Sequence, residues 1–195
     1  MKNYFYIGLL LFSKVVVAST FEDVITLRSG NKAKIKPQSF RIDEENKNIC
    51  FVNEGATVVT KISFKEFSSV EFGVNKFEVF KLNNSSSFEG FFVIAENKSY
   101  KLITRSVGSE EEGVQRYEFK VVDIYQNVVE EHVFDGKINQ KSSSARAEIY
   151  GKIKFYFGEN TRLIKRLEMY DRDAFSLENT TILSFFKNPV YLKIE

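Results

Sequence analysis

From Val24 to about Leu82 the chain alternates apolar and polar positions in short runs. Val24 to Leu27 and Lys32 to Ile35 flank Arg28-Ser29-Gly30-Asn31, and because Ser-Gly-Asn tolerates positive φ the pattern predicts a hairpin. Phe40 and Ile42 alternate with polar neighbours, Asp43 to Asn48 reads as a charged turn, and Ile49 with Phe51 resumes the alternation. A second hairpin is expected through Asn53-Glu54-Gly55-Ala56, after which Val58, Thr60, Ile62 and Phe64 share one face. The spacing of Phe67, Val70 and Phe72 predicts a short helical turn, and Phe77 to Leu82 a closing strand.

The polar tract Asn83-Asn84-Ser85-Ser86-Ser87 marks a boundary between apolar runs. Beyond it, Phe88 to Ala95 and Tyr100 to Thr104 pair through the turn Glu96-Asn97-Lys98-Ser99, and Tyr117 to Tyr125 and Val128 to Phe134 read as strands. Val107 to Gly113 and Lys141 to Ser144 are loops. Ile149, Gly151, Ile153, Phe155 and Phe157 then alternate with Tyr150, Lys152, Lys154 and Tyr156, which predicts another strand. After Gly158 the period changes: Leu163, Ile164, Leu167 and Tyr170 recur at three and four residues, a helix with Asn160 or Thr161 as its N-cap. A second helix is expected from Ser176 through Phe185 and Phe186 to about Asn188, because Pro189 disfavours helical geometry in the residue before it.

Strands first and helices last make the fold class α+β, mainly β. Strands of five or six residues at intervals of about ten predict antiparallel hairpins forming a small barrel or sandwich, then a second β region and C-terminal helices. The segments Ile25-Thr26-Leu27-Arg28-Ser29-Gly30, Lys61-Ile62-Ser63-Phe64-Lys65-Glu66-Phe67 and Ser69-Val70-Glu71-Phe72 resemble small SH3-like or Sm-like barrels in uncharacterised secreted β-rich proteins of Bacteroidota. The resemblance covers about a third of the chain and implies an exported β-rich protein, with no catalytic residues to carry over.

Export is also expected from the first residues. Lys2, the apolar run from Ile7 to Val17 and the small residue Ala18 form the basic start, hydrophobic centre and small-residue end of a signal peptide over residues 1–18. The run includes Lys14 and falls short of the roughly 20 residues that a spanning helix needs. The expected organisation is therefore a signal peptide over 1–18, a small barrel-like region over 19–82, and a hairpin region with two C-terminal helices over 83–195, in a periplasmic or secreted protein without a membrane span after cleavage.

Export changes the meaning of the charge. The chain carries 28 Lys and Arg against 26 Asp and Glu, and the two excess charges are Lys2 and Lys14, both inside the segment expected to be removed. The remainder is formally neutral, which removes the compositional argument for nucleic acid as a partner.

Candidate chemistry is sparse. Cys50 is the single cysteine, so no intrachain disulfide forms, and its setting in Asn48-Ile49-Cys50-Phe51-Val52 reads as a small buried hydrophobe. His132 is the single histidine and reads as an exposed strand residue. One His with one Cys is too few for the preferred ligands of a zinc site. No GxSxG, GxGxxG or GxxxxGK motif occurs, so neither a nucleophile elbow nor a phosphate-cradling loop is indicated, and no cofactor is expected. Carboxylates are plentiful, but Asp43 to Glu45 and Glu110 to Glu112 fall in expected turns and Glu130 with Glu131 on a solvated strand. Asp171-Arg172-Asp173 reads as an inter-helix turn with local charge pairing.

The candidate ligand or partner face is Tyr150, Lys152, Lys154 and Tyr156, where rings and cations interleave and could contact a glycan or an envelope protein. Phe91 with Phe92, and Phe185 with Phe186, are adjacent pairs in which one ring is expected to face a second layer or a partner. Together these features predict a non-enzymatic binding or structural module of the cell envelope. The alternative is a carboxylate-dependent hydrolase of envelope polysaccharide, which needs two carboxyl groups facing each other across a cleft.

Overall fold

The structure, a computed structural model, describes residues 22–107, 116–135, 144–172 and 181–193. The expected signal peptide and the loop carboxylates Glu110 to Glu112 lie outside the described residues, as do the start of the second helix at Ser176 and Asp173. Among the described residues no helix is long and apolar enough to cross a membrane.

Among the described residues, two mainly antiparallel sheets and three α-helices account for most of the regular structure. The strands in chain order are β1 (Val24–Leu27), β2 (Lys32–Lys34), β3 (Arg41–Asp43), β4 (Asn48–Val52), β5 (Val59–Ser63), β6 (Phe67–Phe72), β7 (Asn75–Phe80), β8 (Glu89–Glu96), β9 (Tyr100–Val107), β10 (Arg116–Asp123) and β11 (Val128–Phe134). Helices α1 (Ser144–Phe157), α2 (Thr161–Arg172) and α3 (Thr181–Lys187) follow, and β12 (Leu192–Lys193) pairs parallel with the end of β8. The long sheet runs β11-β10-β9-β8-β7-β6-β1-β2, and the short one β3-β4-β5. No barrel closes among the described residues: the bridge between Ile35 and Asn53 links two open sheets in a sandwich-like arrangement. The polar tract at 83–87 does not interrupt the long sheet, because β7 and β8 pair across it from Phe77–Phe92 to Phe80–Glu89.

One face of the long sheet carries two cores. At one end Ile25, Val70, Phe77 and Val79 pack against Ile49, Phe51 and Phe64 from the short sheet and its flank. At the other end Leu102, Phe119 and Val121 pack against Ile149, Ile153, Phe157, Leu163, Leu167, Phe185 and Phe186 from the helices. Gly90 is what allows Phe77 to approach β8 so closely: a Cβ there would sit 2.2 Å from Phe77 Cζ and 2.9 Å from Phe64 Cε2.

Two elements differ from the sequence expectation, apart from Asp171 and Arg172, which complete α2 instead of entering an inter-helix turn. Phe67, Val70 and Phe72 lie on a strand and not on a helical turn. Their three-residue spacing arises from a β-bulge: Thr26 pairs with Ser69 and Leu27 with Phe67, so Ser68 is the extra residue and both Phe67 and Val70 turn inward. The Ser68 hydroxyl donates to the Thr26 carbonyl at 3.1 Å, which satisfies the interrupted ladder.

The second correction is larger, because the strand expected at 149–157 is the second half of α1. Ile149, Ile153 and Phe157 are four residues apart, a spacing that fits one strand face and equally one helical stripe, and all three are buried. Gly151 and Phe155, which a strand would turn to the same side, are exposed, Phe155 by 82%. Helical geometry also divides the candidate face: Lys154 lies over the Tyr150 ring at 5.8 Å, while Lys152 and Tyr156 form a separate i, i+4 pair.

The adjacent phenylalanines resolve as two layers. Phe91 is buried on the outer face of β8 while Phe92 packs against Phe77 on the inner face. In α3, Phe186 stacks on Phe119 of the sheet and Phe185 meets Tyr170 of α2 edge-on.

The outer face is organised by ion pairs over rings. One chain links Lys76, Glu78, Lys101 and Glu96; another links Glu89, Arg105, Glu118, Lys120 and Glu131. Arg105 lies 4.4 Å from the Phe91 ring centre, so its stem and guanidinium shield the aromatic surface.

Candidate functional site

Where α1 ends and α2 begins, the chain turns beside the β8–β9 hairpin, and the two segments enclose a groove of about 620 Å³. The turn side of the groove is fixed by Asn97. Its Oδ1 accepts from the backbone N–H groups of Ser99 and Tyr100 at 2.9 and 2.8 Å, and its Nδ2 donates to the Tyr156 carbonyl at 3.1 Å. A single amide therefore shapes the hairpin turn and ties it to the end of the helix.

Three rings wall the groove. Tyr100 and Tyr156 meet edge to face with centroids 4.9 Å apart, and Phe155 stands against Tyr156 at 5.0 Å. Tyr156 is anchored from behind, because its hydroxyl lies 3.3 Å from Glu130 on β11, and burial followed by that carboxylate raises its pKa. Lys152 pairs with Glu130 at 2.5 Å and with Glu148 at 3.3 Å, and the hydrogen bond to Glu130 holds it in its charged form. Phe155 has no such restraint and is the most exposed of the large hydrophobic residues described.

The floor is formed by Phe157 and Asn160, the buried members of the lining. Gly158 lets the chain leave α1 here, since a Cβ at that position would sit 2.6 Å from the Lys154 carbonyl oxygen. Asn160, one of the two candidates in the sequence, is the N-cap of α2, and its Oδ1 accepts from the Leu163 N–H at 3.0 Å. Its Nδ2 is buried and meets no hydrogen-bond partner. Lys98 and Glu159 are the two ionisable side chains of opposite sign at the rim.

Of the four residues expected on one face, Tyr156 lines this groove, and Lys152 lies in the ion-pair layer that carries it. Tyr150 is directed toward α2, with its hydroxyl 3.4 Å from Glu168, and Lys154 rests on its ring. Tyr100, Phe155 and Asn97 are missing from the sequence expectation, because Phe155 reads as an inward strand residue and Asn97 as an ordinary turn residue. The Asn160 cap was visible as a motif, but its second amide group had no sequence signal.

The remaining chemical groups are engaged elsewhere. His132 stacks on Phe119 at 5.3 Å with its Nε2 3.4 Å from Glu148, half-buried rather than exposed, and burial followed by the nearby Lys152 lowers its pKa. Cys50 is half-buried on the outer side of the short sheet, paired across strands with Arg41 and Lys61, and not in the core. Its neighbours on β4, Ile49 and Phe51, take the inward positions. Among the described residues no cluster of three His, Cys, Asp or Glu side chains converges on a common point.

A second, smaller depression of about 260 Å³ lies at the other end of the sheet, between the β3–β4 turn and the start of β8. Lys47 donates to the Ser87 hydroxyl at 2.6 Å within it, and Arg105 is held by Glu89 at 2.8 Å and Glu118 at 2.6 Å. No protein-family model matches the chain, and no curated protein or solved structure shows significant similarity to it.

Proposed function

We propose that the protein is an exported, non-enzymatic binding module of the cell envelope and that the groove between the β8–β9 turn and the α1–α2 junction holds its ligand. The observation that carries this reading is Phe155, 82% exposed on an ordered helix, beside two tyrosines already fixed by their neighbours. An exposed ring at the mouth of a formed groove is an unfavourable surface in the free protein and a favourable one under a ligand. The signal-like segment at 1–18 supports export, and the resemblance to secreted Bacteroidota proteins agrees with it.

The hydrolase alternative calls for a pair of carboxylates across the cleft, and Glu159 is the one carboxylate among the described residues of this lining. Glu130, behind Tyr156, is occupied by Lys152 and the Tyr156 hydroxyl. A crosslinking pull-down of the tagged protein from its native envelope fraction, read by mass spectrometry beside a Phe155→Ala variant, tests the proposal. Recovery of a specific species by the wild type and its loss in the variant is expected. Recovery that does not depend on Phe155, or turnover of purified envelope polysaccharide, would count against it.

A further inference from the structure

We infer that the groove is built for a neutral saccharide, an inference that rests on the binding-module reading above. Three independent features of the lining converge on this class. The first is aromatic: Tyr100, Tyr156 and Phe155 offer ring surface on one wall, suited to the apolar C–H face of a pyranose.

The second is the floor. Asn160 is 7% exposed, and its Oδ1 is committed to the α2 cap, while Nδ2 has no partner. A buried amide donor without an acceptor is costly, by more than an ordinary hydrogen bond contributes, and structures rarely leave one in place. Nδ2 is closed to solvent in the free protein, so a ligand reaches it only as the groove opens around Asn160, and one that then brings an oxygen acceptor to the floor removes that cost. Sugar hydroxyl and ring oxygens are such acceptors, whereas a purely apolar ligand would leave the donor unsatisfied.

The third is charge. Lys98 and Glu159 contribute one positive and one negative group at the rim, so the groove has no net sign to select an anion or a cation. Nucleotides and sulfated or uronic glycans therefore have no electrostatic advantage. The volume, about 620 Å³, falls in the range of roughly 300 to 1,000 Å³ typical of small-ligand sites, enough for a short stretch of chain and not for a protein domain.

The test is calorimetric titration of the purified protein with three neutral oligosaccharides, chitotetraose, cellotetraose and maltotetraose, and with an anionic one, tetragalacturonate. At least one neutral tetramer is expected to bind, with the anionic one weaker. Phe155→Ala should weaken binding by roughly tenfold through loss of one aromatic wall. Asn160→Asp is the sharper variant, because a carboxylate keeps the cap and suits a helix N-terminus but removes the donor. It should leave the melting temperature unchanged or raised and still lose the sugar.

Neutral-sugar binding that is indifferent to both variants would overturn the inference, and so would binding of the anionic tetramer alone. A Phe155-dependent species from the envelope fraction that contains no sugar, together with no response to any neutral tetramer, would overturn the saccharide class and leave the binding-module reading standing. If nothing is captured in a Phe155-dependent way and no tetramer binds, both fail.

Discussion

Over β1, β6 and β7 the long sheet is covered by another sheet, and over β8 to β11 by three helices, and the two covers treat their rims differently. At the sheet-covered end, Phe64, Phe67 and Phe77 interlock with centroids 5.8 to 6.4 Å apart. Both basic side chains in its small depression are engaged, Lys47 with Ser87 and Arg105 with two carboxylates. At the helix-covered end the core is likewise built of buried apolar side chains, yet the turn from α1 to α2 leaves a wider groove, an exposed ring and a buried amide without a partner. A region that completes its own contacts reads as scaffold. The Tyr117 hydroxyl is also buried without a partner but lies inside the core, whereas at the groove an unpartnered amide, an exposed ring and a formed hollow coincide, and that coincidence reads as a place where something binds.

The comparison can be broken first at the scaffold end. Phe77→Ala removes a fully buried ring from the centre of that core and should cost about 3–5 kcal/mol in urea unfolding. If the division of labour holds, whatever folded protein remains below the transition should bind its ligand as tightly as the wild type. Gly90→Ala should cost about 1–3 kcal/mol by driving a methyl group into Phe77, with partial recovery in the Gly90→Ala, Phe77→Leu double variant. A Gly90→Ala protein as stable as the wild type would show that the ring has room to move, contrary to the close approach seen here.

A smaller effect should come from the outer ion-pair layer beneath the helical end. Burial alone would raise the Glu96 carboxyl, but the Tyr191 hydroxyl with Lys76 and Lys101 overcomes it and the pKa is lowered from the ordinary 4.5. A hydrogen bond from Lys120 lowers that of Glu131 in the same direction. A carboxyl whose folded pKa is depressed stabilises the fold fully above its unfolded value, and the contribution is lost as pH falls through the folded one. The denaturation midpoint should therefore be flat down to about pH 5 and decline below 4.5, with a shallower decline in Glu96→Gln. The smallest effect on stability belongs to Phe155→Ala, within about 0.5 kcal/mol, because the ring is mostly in water. A larger loss would make Phe155 a structural residue and remove the main contrast between the two ends.

The sequence pattern carried the scaffold better than the site, and the residues show why. Hairpins such as β8–β9 are written locally, in alternating strands around a polar turn, and their pairing requires no distant information. The bulge at Ser68 is not, since the displaced register of β6 exists only against β1. Within α1, apolar residues at 149, 153 and 157 satisfy both periods, and the helix prevails because its stripe meets the sheet while Phe155 is left outside. That ambiguity concealed the site: on a strand Phe155 would be core, and on the helix it is the most exposed ring beside the groove. Asn97 and Asn160, sixty-odd residues apart, come together through β9 to β11 and the length of α1, and no local motif announces their meeting.

The central claim is that the ligand sits at the helix-covered end, and amide hydrogen exchange measured with and without the species captured from the envelope tests it most directly. Slower exchange is expected at residues 97–100 and 155–163, with residues 44–47 and 87–90 unchanged. Protection confined to the β3–β4 turn and the start of β8, or to β11, the last strand of the long sheet among the described residues, would contradict the assignment of the groove.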